Sequence, residues 1–249
     1  MRRRNDIRRR APAQALVEEA ASTPPAEQHS APADAHASVA DHADPGFEQR
    51  FHDARMLERN GDLERALELY RELLREAPDD VRVRNNLGCL YEKRGDFVQA
   101  LEQYDAARSV APNNVAVLVN IGSALTALSK FDQAERELKQ AQKLDPSRAD
   151  VYTQLGTMNF KRGRYAAAEI ELKRAIELDA DNAAAYFYRG EALNHLHRVD
   201  EAIEMLERAV QLQPHNGRAY YTMGLLYDRK NLRQEAQQMF RKAREVAAS

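Results

Sequence analysis

Val81–Asn114 reads VRVRNNLGCLYEKRGDFVQALEQYDAARSVAPNN. Wound at the helical period, Leu87, Gly88 and Tyr91 share one face, and Ala100, Tyr104 and Ala107 share the face of a second helix. Gly95-Asp96 between them is a turn signal. Pro112 stops the second helix, because proline offers no N–H and restricts the residue before it. The stretch predicts two antiparallel helices, a tight turn between them and a proline-marked turn after them.

Moved along the chain in steps of about 34 residues, a period typical of helical-pair repeats, the pattern keeps matching. Gly88 recurs as Gly122, Gly156, Gly190 and Gly224. Ala100 recurs as Ala66, Ala134, Ala168, Ala202 and Ala236, and Ala107 as Ala141, Ala175, Ala209 and Ala243. Large groups recur at Tyr70, Tyr104, Leu138, Leu172, Leu206 and Phe240, and prolines at Pro78, Pro112, Pro146 and Pro214.

Glycine inside a helix costs about 1 kcal/mol against alanine, so its recurrence implies a neighbouring helix too close for a side chain. Ala100 and its equivalents are the expected opposite surface, with Tyr104 and its equivalents beside that contact. One helix pair cannot bury both of its faces, so each repeat needs a neighbour.

Leu-Gly-x-x-Tyr followed by Ala, an aromatic, Ala and Pro resembles the tetratricopeptide repeat family. The resemblance implies an all-α fold, an α-solenoid of six antiparallel helix-pair repeats in a superhelix. The repeats are 47–80, 81–114, 115–148, 149–182, 183–216 and 217–249. Positions within a repeat are numbered below as slots, Val81 being slot one.

Several slots depart from the pattern. In the first repeat Arg50, Asp53 and Ala54 replace the usual apolar and glycine residues, as terminal repeats often do. Ser129, His197 and Asn231 replace the turn glycine. Asn159 stands in the slot of Tyr91, Ala180 in that of a proline, Arg189 in that of Leu87, and Arg233 in that of Phe97. On the last helix Gln237, Arg241 and Arg244 offer an outer face that can meet water.

The 249 residues carry a net charge of only −2 with 31% charged residues, which excludes a strongly basic protein and a purely electrostatic nucleic-acid binder. The single Cys89 cannot pair within the chain, so nothing points to an oxidising compartment. No apolar run approaches the roughly 18 residues of a membrane helix. The opening MRRRNDIRRR is followed by no hydrophobic core, so no secretory signal is expected and the expected location is cytoplasmic.

Residues 1–46 are rich in Ala and Pro and lack aromatics, and are expected to be a disordered tail. A short helix over Gln14–Ala21 would carry Leu16 and Val17 as its sizeable apolar residues. The six arginines before Ala11 read as a solvated charge block, or alternatively as an anchor for anionic lipid or RNA. His29, His36 and His42 lie there without the rigid geometry that metal binding needs.

In this family the first helix of each repeat lines a concave groove, and the resemblance carries its slots over one by one. Slot five holds Phe51, Asn85, Val119, Thr153, Phe187 and Tyr221. Slot six holds His52, Asn86, Asn120, Gln154, Tyr188 and Thr222. Slot nine holds Arg55, Cys89, Ser123, Thr157, Glu191 and Leu225. The groove is therefore expected to be small and uncharged at Val119, Ser123, Thr153 and Thr157, and aromatic at Phe187, Tyr188 and Tyr221.

Asn86, Asn120 and Gln154 resemble the amide ladder of the O-linked N-acetylglucosamine transferases; side-chain amides both donate and accept, as an extended peptide backbone requires. The two-carboxylate clamp by which another subfamily grips chaperone tails is absent: its slots hold Phe51, Arg55, Asn86, Ala116 and Asn120.

No phosphate loop, His-Glu-x-x-His motif or paired-cysteine site is present. Cys89 reads as a small groove filler with no group to activate it. Glu191 and His195 are four apart on one helix face, a spacing usually structural, while His195 and His197 point to nearly opposite sides. The expectation is a scaffold without catalysis, metal, cofactor or small-molecule substrate, binding an extended protein segment in its groove. Two alternatives stand beside it. One is an assembly element that self-associates through its array ends and tethers to membrane or nucleic acid by its tail. The other is a subunit that recruits substrates for a separate enzyme.

Overall fold

The computed structural model describes residues 45–248, and among them every regular element is an α-helix. In chain order these are α1 (Pro45–Arg59), α2 (Leu63–Glu76), α3 (Val81–Lys93), α4 (Phe97–Val110), α5 (Val115–Ala127) and α6 (Phe131–Leu144). They continue as α7 (Ala149–Lys161), α8 (Tyr165–Leu178), α9 (Ala183–His195), α10 (Val199–Leu212), α11 (Gly217–Arg229) and α12 (Arg233–Ala248). The first helix begins at Pro45, two residues ahead of the repeat boundary read from the sequence; proline's fixed φ suits a first helical position. The readings of the tail's helix, arginines and histidines fall outside the described residues.

Each boundary has a local cause. Asp80 accepts from the backbone N–H of Arg82 and Val83, and Asn114, Asn182 and Asn216 accept from Val117, Ala185 and Ala219. These Asx caps satisfy N–H groups that a helix start leaves orphaned. Arg148 holds the same slot before α7 and caps nothing; Asp150 accepts from Val151 N–H instead. At the other end, Ala77, Ala111, Asp145 and Gln213 leave helical geometry just before a proline. The turn inside each pair requires a left-handed residue. Gly61, Gly95 and Gly163 adopt φ near +80°, and Ser129, His197 and Asn231 take φ near +60° in the same slot.

Among the described residues the chain divides into two compact units, one ending at Arg162 and the other beginning at Gly163. In the first, α1–α7, each helix packs on its successor, and the first helices of neighbouring repeats also touch: α1 with α3, α3 with α5, α5 with α7. The second helices α2, α4 and α6 make no contact with one another. This asymmetry makes the first helices the inner row and the second helices the outer row. The second unit, α8–α12, repeats it: α9 touches α11, whereas the outer helices α8, α10 and α12 stay apart.

The recurrent residues form the core. Ala66, Ala100, Ala134, Ala168 and Ala202 are fully buried, as are Tyr70, Tyr104, Leu138, Leu172 and Leu206. The glycines lie opposite the large residue, not the alanine that the sequence reading placed there. A methyl on Gly122 would stand 2.5 Å from Leu138 Cγ, one on Gly190 2.7 Å from Leu206 Cγ, and one on Gly224 2.6 Å from Phe240 Cε1. At Gly88 the clash is with the Tyr104 ring. The large side chain of the second helix is thus a knob, and glycine is the hole that receives it. At Gly190 the backbone of the alanine slot is near as well: Ala202 O lies 3.2 Å from the added methyl.

Neighbouring repeats are also tied at the surface. The cation just after one first helix meets an acid in the first turn of the preceding second helix: Arg94 with Glu64 at 2.9 Å, Arg162 with Asp132 at 2.7 Å, Lys230 with Asp200 at 2.5 Å. Exposed pairs of this kind contribute at most about 1 kcal/mol each. The departures from the pattern are compensated too. Arg189, in an apolar slot, binds Glu169 of α8 through Nη2 at 2.8 Å and Nε at 3.1 Å. Arg50 in the first repeat binds Glu76.

Candidate inner-face interaction site

The inner row of the first unit is built from α3, α5 and α7. Small side chains lie along it: Val119, Ser123, Thr153 and Thr157 are all buried. The Thr153 hydroxyl donates back to Ala149 O at 2.9 Å, so part of its polarity is spent within its own helix. Asn120 and Gln154 are half-buried on the same row.

The amide positions do not form a simple open row. Asn120 Nδ2 donates to Asn85 Oδ1 at 2.9 Å and approaches Cys89 Sγ at 3.4 Å, so slot six of one repeat is bonded to slots five and nine of the repeat before. Asn86 is buried beside the Tyr70 hydroxyl. The bonds of Asn120 hold neighbouring first helices together, leaving Gln154 as the amide of this set with no such bond described.

Beneath them lies a polar core shared by the first two repeats. The Tyr104 hydroxyl donates to Glu92 Oε2 at 3.1 Å and lies 3.4 Å from Cys89 Sγ. Tyr70 makes the equivalent bond to Glu58 Oε2 at 3.2 Å. Burial and the nearby Glu92 push the Cys89 thiol up to about 12, so it is protonated and unreactive at neutral pH. Burial, then the neighbouring Cys89 and Glu92, likewise raises Tyr104 well above its ordinary value. Where the large slot is Leu138 or Leu206 no hydroxyl exists, and slot twelve holds Thr126 or Asn194 instead of Glu.

In the second unit the sequence reading makes Phe187, Tyr188 and Tyr221 the aromatic end of the groove; the side chains of Phe187 and Tyr188 are fully buried. Their rings pack edge-on against each other at 5.2 Å. Tyr221 is half-buried and tilts against Phe240 at 5.6 Å. The aromatic end is therefore chiefly packing, and the side chain that sequence reasoning missed is Arg218. Its guanidinium lies 5.4 Å from the centre of the Phe187 ring, with Nη2 3.7 Å from Glu191 Oε2. Arg82 does the same over Phe51, at 5.1 Å. The signal was present in the sequence: Phe in slot five occurs twice, and each time the next repeat begins with Arg in slot two.

Glu191 is buried, and among the described residues its Oε1 has no hydrogen-bond partner. His195, one turn on, is exposed and stacks on Tyr165 at 4.0 Å, so it belongs to a different contact from Glu191. Among the described residues no group of three His, Cys, Asp or Glu side chains is placed to hold a metal, and no helix is long and apolar enough to cross a membrane.

Residues 8–249 match the family model of the C-terminal domain of cilia and flagella-associated protein 70, a tetratricopeptide repeat domain. Among solved structures, that of MamA is 34% identical, with 64% of this chain and 94% of that chain covered and a TM-score of 0.55. YrrB is 23% identical over 71% of this chain and 91% of that one, with a TM-score of 0.51. Cut9, from the APC/C hetero-tetramer Cut9–Hcn1, shares the fold at 15% identity and a TM-score of 0.77, over 82% of this chain and 40% of that chain. No curated protein matches the chain.

Proposed function

The chain belongs to the tetratricopeptide repeat family, and on that premise we propose that it is a non-catalytic scaffold holding an extended segment of a partner protein along its inner row. The observation that carries this reading is the floor of α3, α5 and α7. Small, uncharged side chains leave room there for a peptide main chain, and half-buried amides at Asn120 and Gln154 offer it donors and acceptors. An extended segment needs such groups, because each of its own N–H and C=O groups must be satisfied once shielded from water. YrrB, alike in fold, is described as having an unusual peptide-binding site, in keeping with this role. The protonated Cys89 and the internally bonded Glu92 and Tyr104 support stability, not chemistry.

The test places a photo-crosslinking residue at Gln154 on the inner row, and separately at Ile170, 65% exposed on the outer helix α8. A partner should crosslink at 154 and not at 170, and its captured segment should bind the purified full chain more weakly after Gln154→Ala. Crosslinking at 170 with none at 154 would place recognition on the outer row and refute the reading.

A further inference from the structure

On the reading of the inner row as a cradle for an extended segment, we propose that the segment it takes is acidic. A carboxylate side chain of the partner sits against Arg55 and Arg59 of α1, about seven to nine residues from the stretch that lies on Gln154.

Among the described residues, every acid on the first helices of the first unit is already engaged. Glu48, Asp53, Glu58, Glu92 and Asp150 each accept a hydrogen bond from another side chain. Helix α5 carries no charge at all. Among the arginines and lysines of the same helices, Arg55 and Arg59 have neither a hydrogen bond nor an ion pair with another described residue. Arg55 is half-buried and Arg59, one turn on, is exposed on the same helix face. Arg55 holds in α1 the slot that Cys89 holds in α3, and Asn120 of the next first helix reaches that slot, so Arg55 lies on the inner row. Its charge is felt at the Tyr70 hydroxyl, beside which Asn86 is buried.

A guanidinium stays charged at any physiological pH, offers five donors and binds a carboxylate through two parallel charge-assisted hydrogen bonds. Half-burial removes part of its water, and a carboxylate is the acceptor that best replaces it. The acids of the neighbouring helices are taken, so the complement comes from the ligand. A neutral segment would leave both arginines as they are, and a basic one would be repelled by them. The spacing follows from the packing. α1, α3, α5 and α7 touch in succession, and at about 8–10 Å per step Arg55 and Gln154 are about 24–30 Å apart. An extended segment covers that span in about seven to nine residues at about 3.3 Å each. Carboxylate and main chain are therefore held at two separate places, which selects for where the acid falls in the segment as well as for its charge.

Random 12-residue peptides displayed on phage and selected on the immobilised full chain test this, with fluorescence anisotropy of the synthesised winners. Winners should carry Asp or Glu toward one end, several-fold above the starting library. Replacing that acid by its amide in the peptide, or Arg55→Gln in the protein, should each weaken binding about tenfold, and both together no more than either alone. Arg59→Gln, at an exposed position that leaves the fold intact, should weaken it about threefold. Winners without acid enrichment, or peptide and protein substitutions whose effects multiply, would overturn the proposal. Replacing the six arginines before Ala11 by serine should leave the acid preference in place. Loss of the preference in that variant, with its survival in Arg55→Gln, would put the carboxylate on the N-terminal segment and overturn it too. Winners that weaken on Gln154→Ala but show no preference for acids would leave the scaffold reading standing and sink this one alone. Winners indifferent to Gln154→Ala would refute the cradle and the acidic segment together.

Discussion

Adding one methyl group at Gly122 tests the knob-and-hole packing directly. The new carbon would stand 2.5 Å from Leu138 Cγ, 2.6 Å from Cδ2 and 3.2 Å from Cδ1, where apolar carbons prefer about 3.5–4.0 Å. Leu138 is fully buried and has no exit to water, so the two helices must separate or the side chain must leave its rotamer. Overpacking of this kind costs about 1–3 kcal/mol, against about 1 kcal/mol gained from alanine's better helix propensity. Gly122→Ala should therefore be destabilising by about 0–2 kcal/mol, where a helix glycine with open space around it would be stabilised. Leu138→Ala alone should cost about 2–5 kcal/mol. In the double variant the clash is gone and the propensity gain remains, so the cycle should return about 1–3 kcal/mol of favourable coupling. Urea unfolding followed by circular dichroism measures all three. Gly217→Ala is the control: its methyl would lie 3.4 Å from Val246 Cγ1, in ordinary contact, and should be neutral or mildly stabilising. Amide protection in Gly122→Ala should fall in α3–α6 more than in α11–α12, because repeats couple to nearest neighbours. Additivity of the two substitutions within about 0.5 kcal/mol, or a stabilised Gly122→Ala, would refute the packing account.

Ser129 and His197 hold left-handed turns, so Ser129→Gly and His197→Gly should each raise the melting temperature by a few degrees, the return of about 1 kcal/mol of backbone strain. Removing Glu169 strands the partly buried Arg189: Glu169→Ala should cost about 1–3 kcal/mol in denaturant titrations, and adding Arg189→Leu should recover most of it. With its thiol pushed up to about 12, Cys89 should react with a disulfide reagent at pH 8 about a thousandfold more slowly in the folded than in the urea-unfolded chain; equal rates would contradict that shift. Tyr104 is raised above its unfolded value near 10, so its contribution is complete below pH 10 and is lost as pH climbs beyond it. Tyr104→Phe should flatten the fall in stability above pH 10, measured by denaturant titration at successive pH values.

The repeat was legible in the sequence because its causes are local and recur. Glycine, alanine, a large residue and proline at fixed offsets set the helix lengths, the turns and the sides that meet, and the left-handed turn slot was marked even where Ser129, His197 and Asn231 fill it. The caps at Asp80, Asn114, Asn182 and Asn216 were equally local and could have been read as well. The use made of each buried side chain was not legible, because it depends on which atoms from other helices arrive beside it. Slot numbers placed Phe187 and Tyr188 on the inner side, but only packing decided that both are submerged. The amides of Asn86, Asn120 and Gln154 looked like one ladder, yet Asn120 is bonded to Asn85 and Cys89 of the repeat before. That the glycine hole receives Tyr104 or Leu138, not the alanine one turn away, is likewise a matter of tertiary approach: a one-dimensional pattern gives the side a residue faces, while distances of a few ångströms between separate helices decide what it touches.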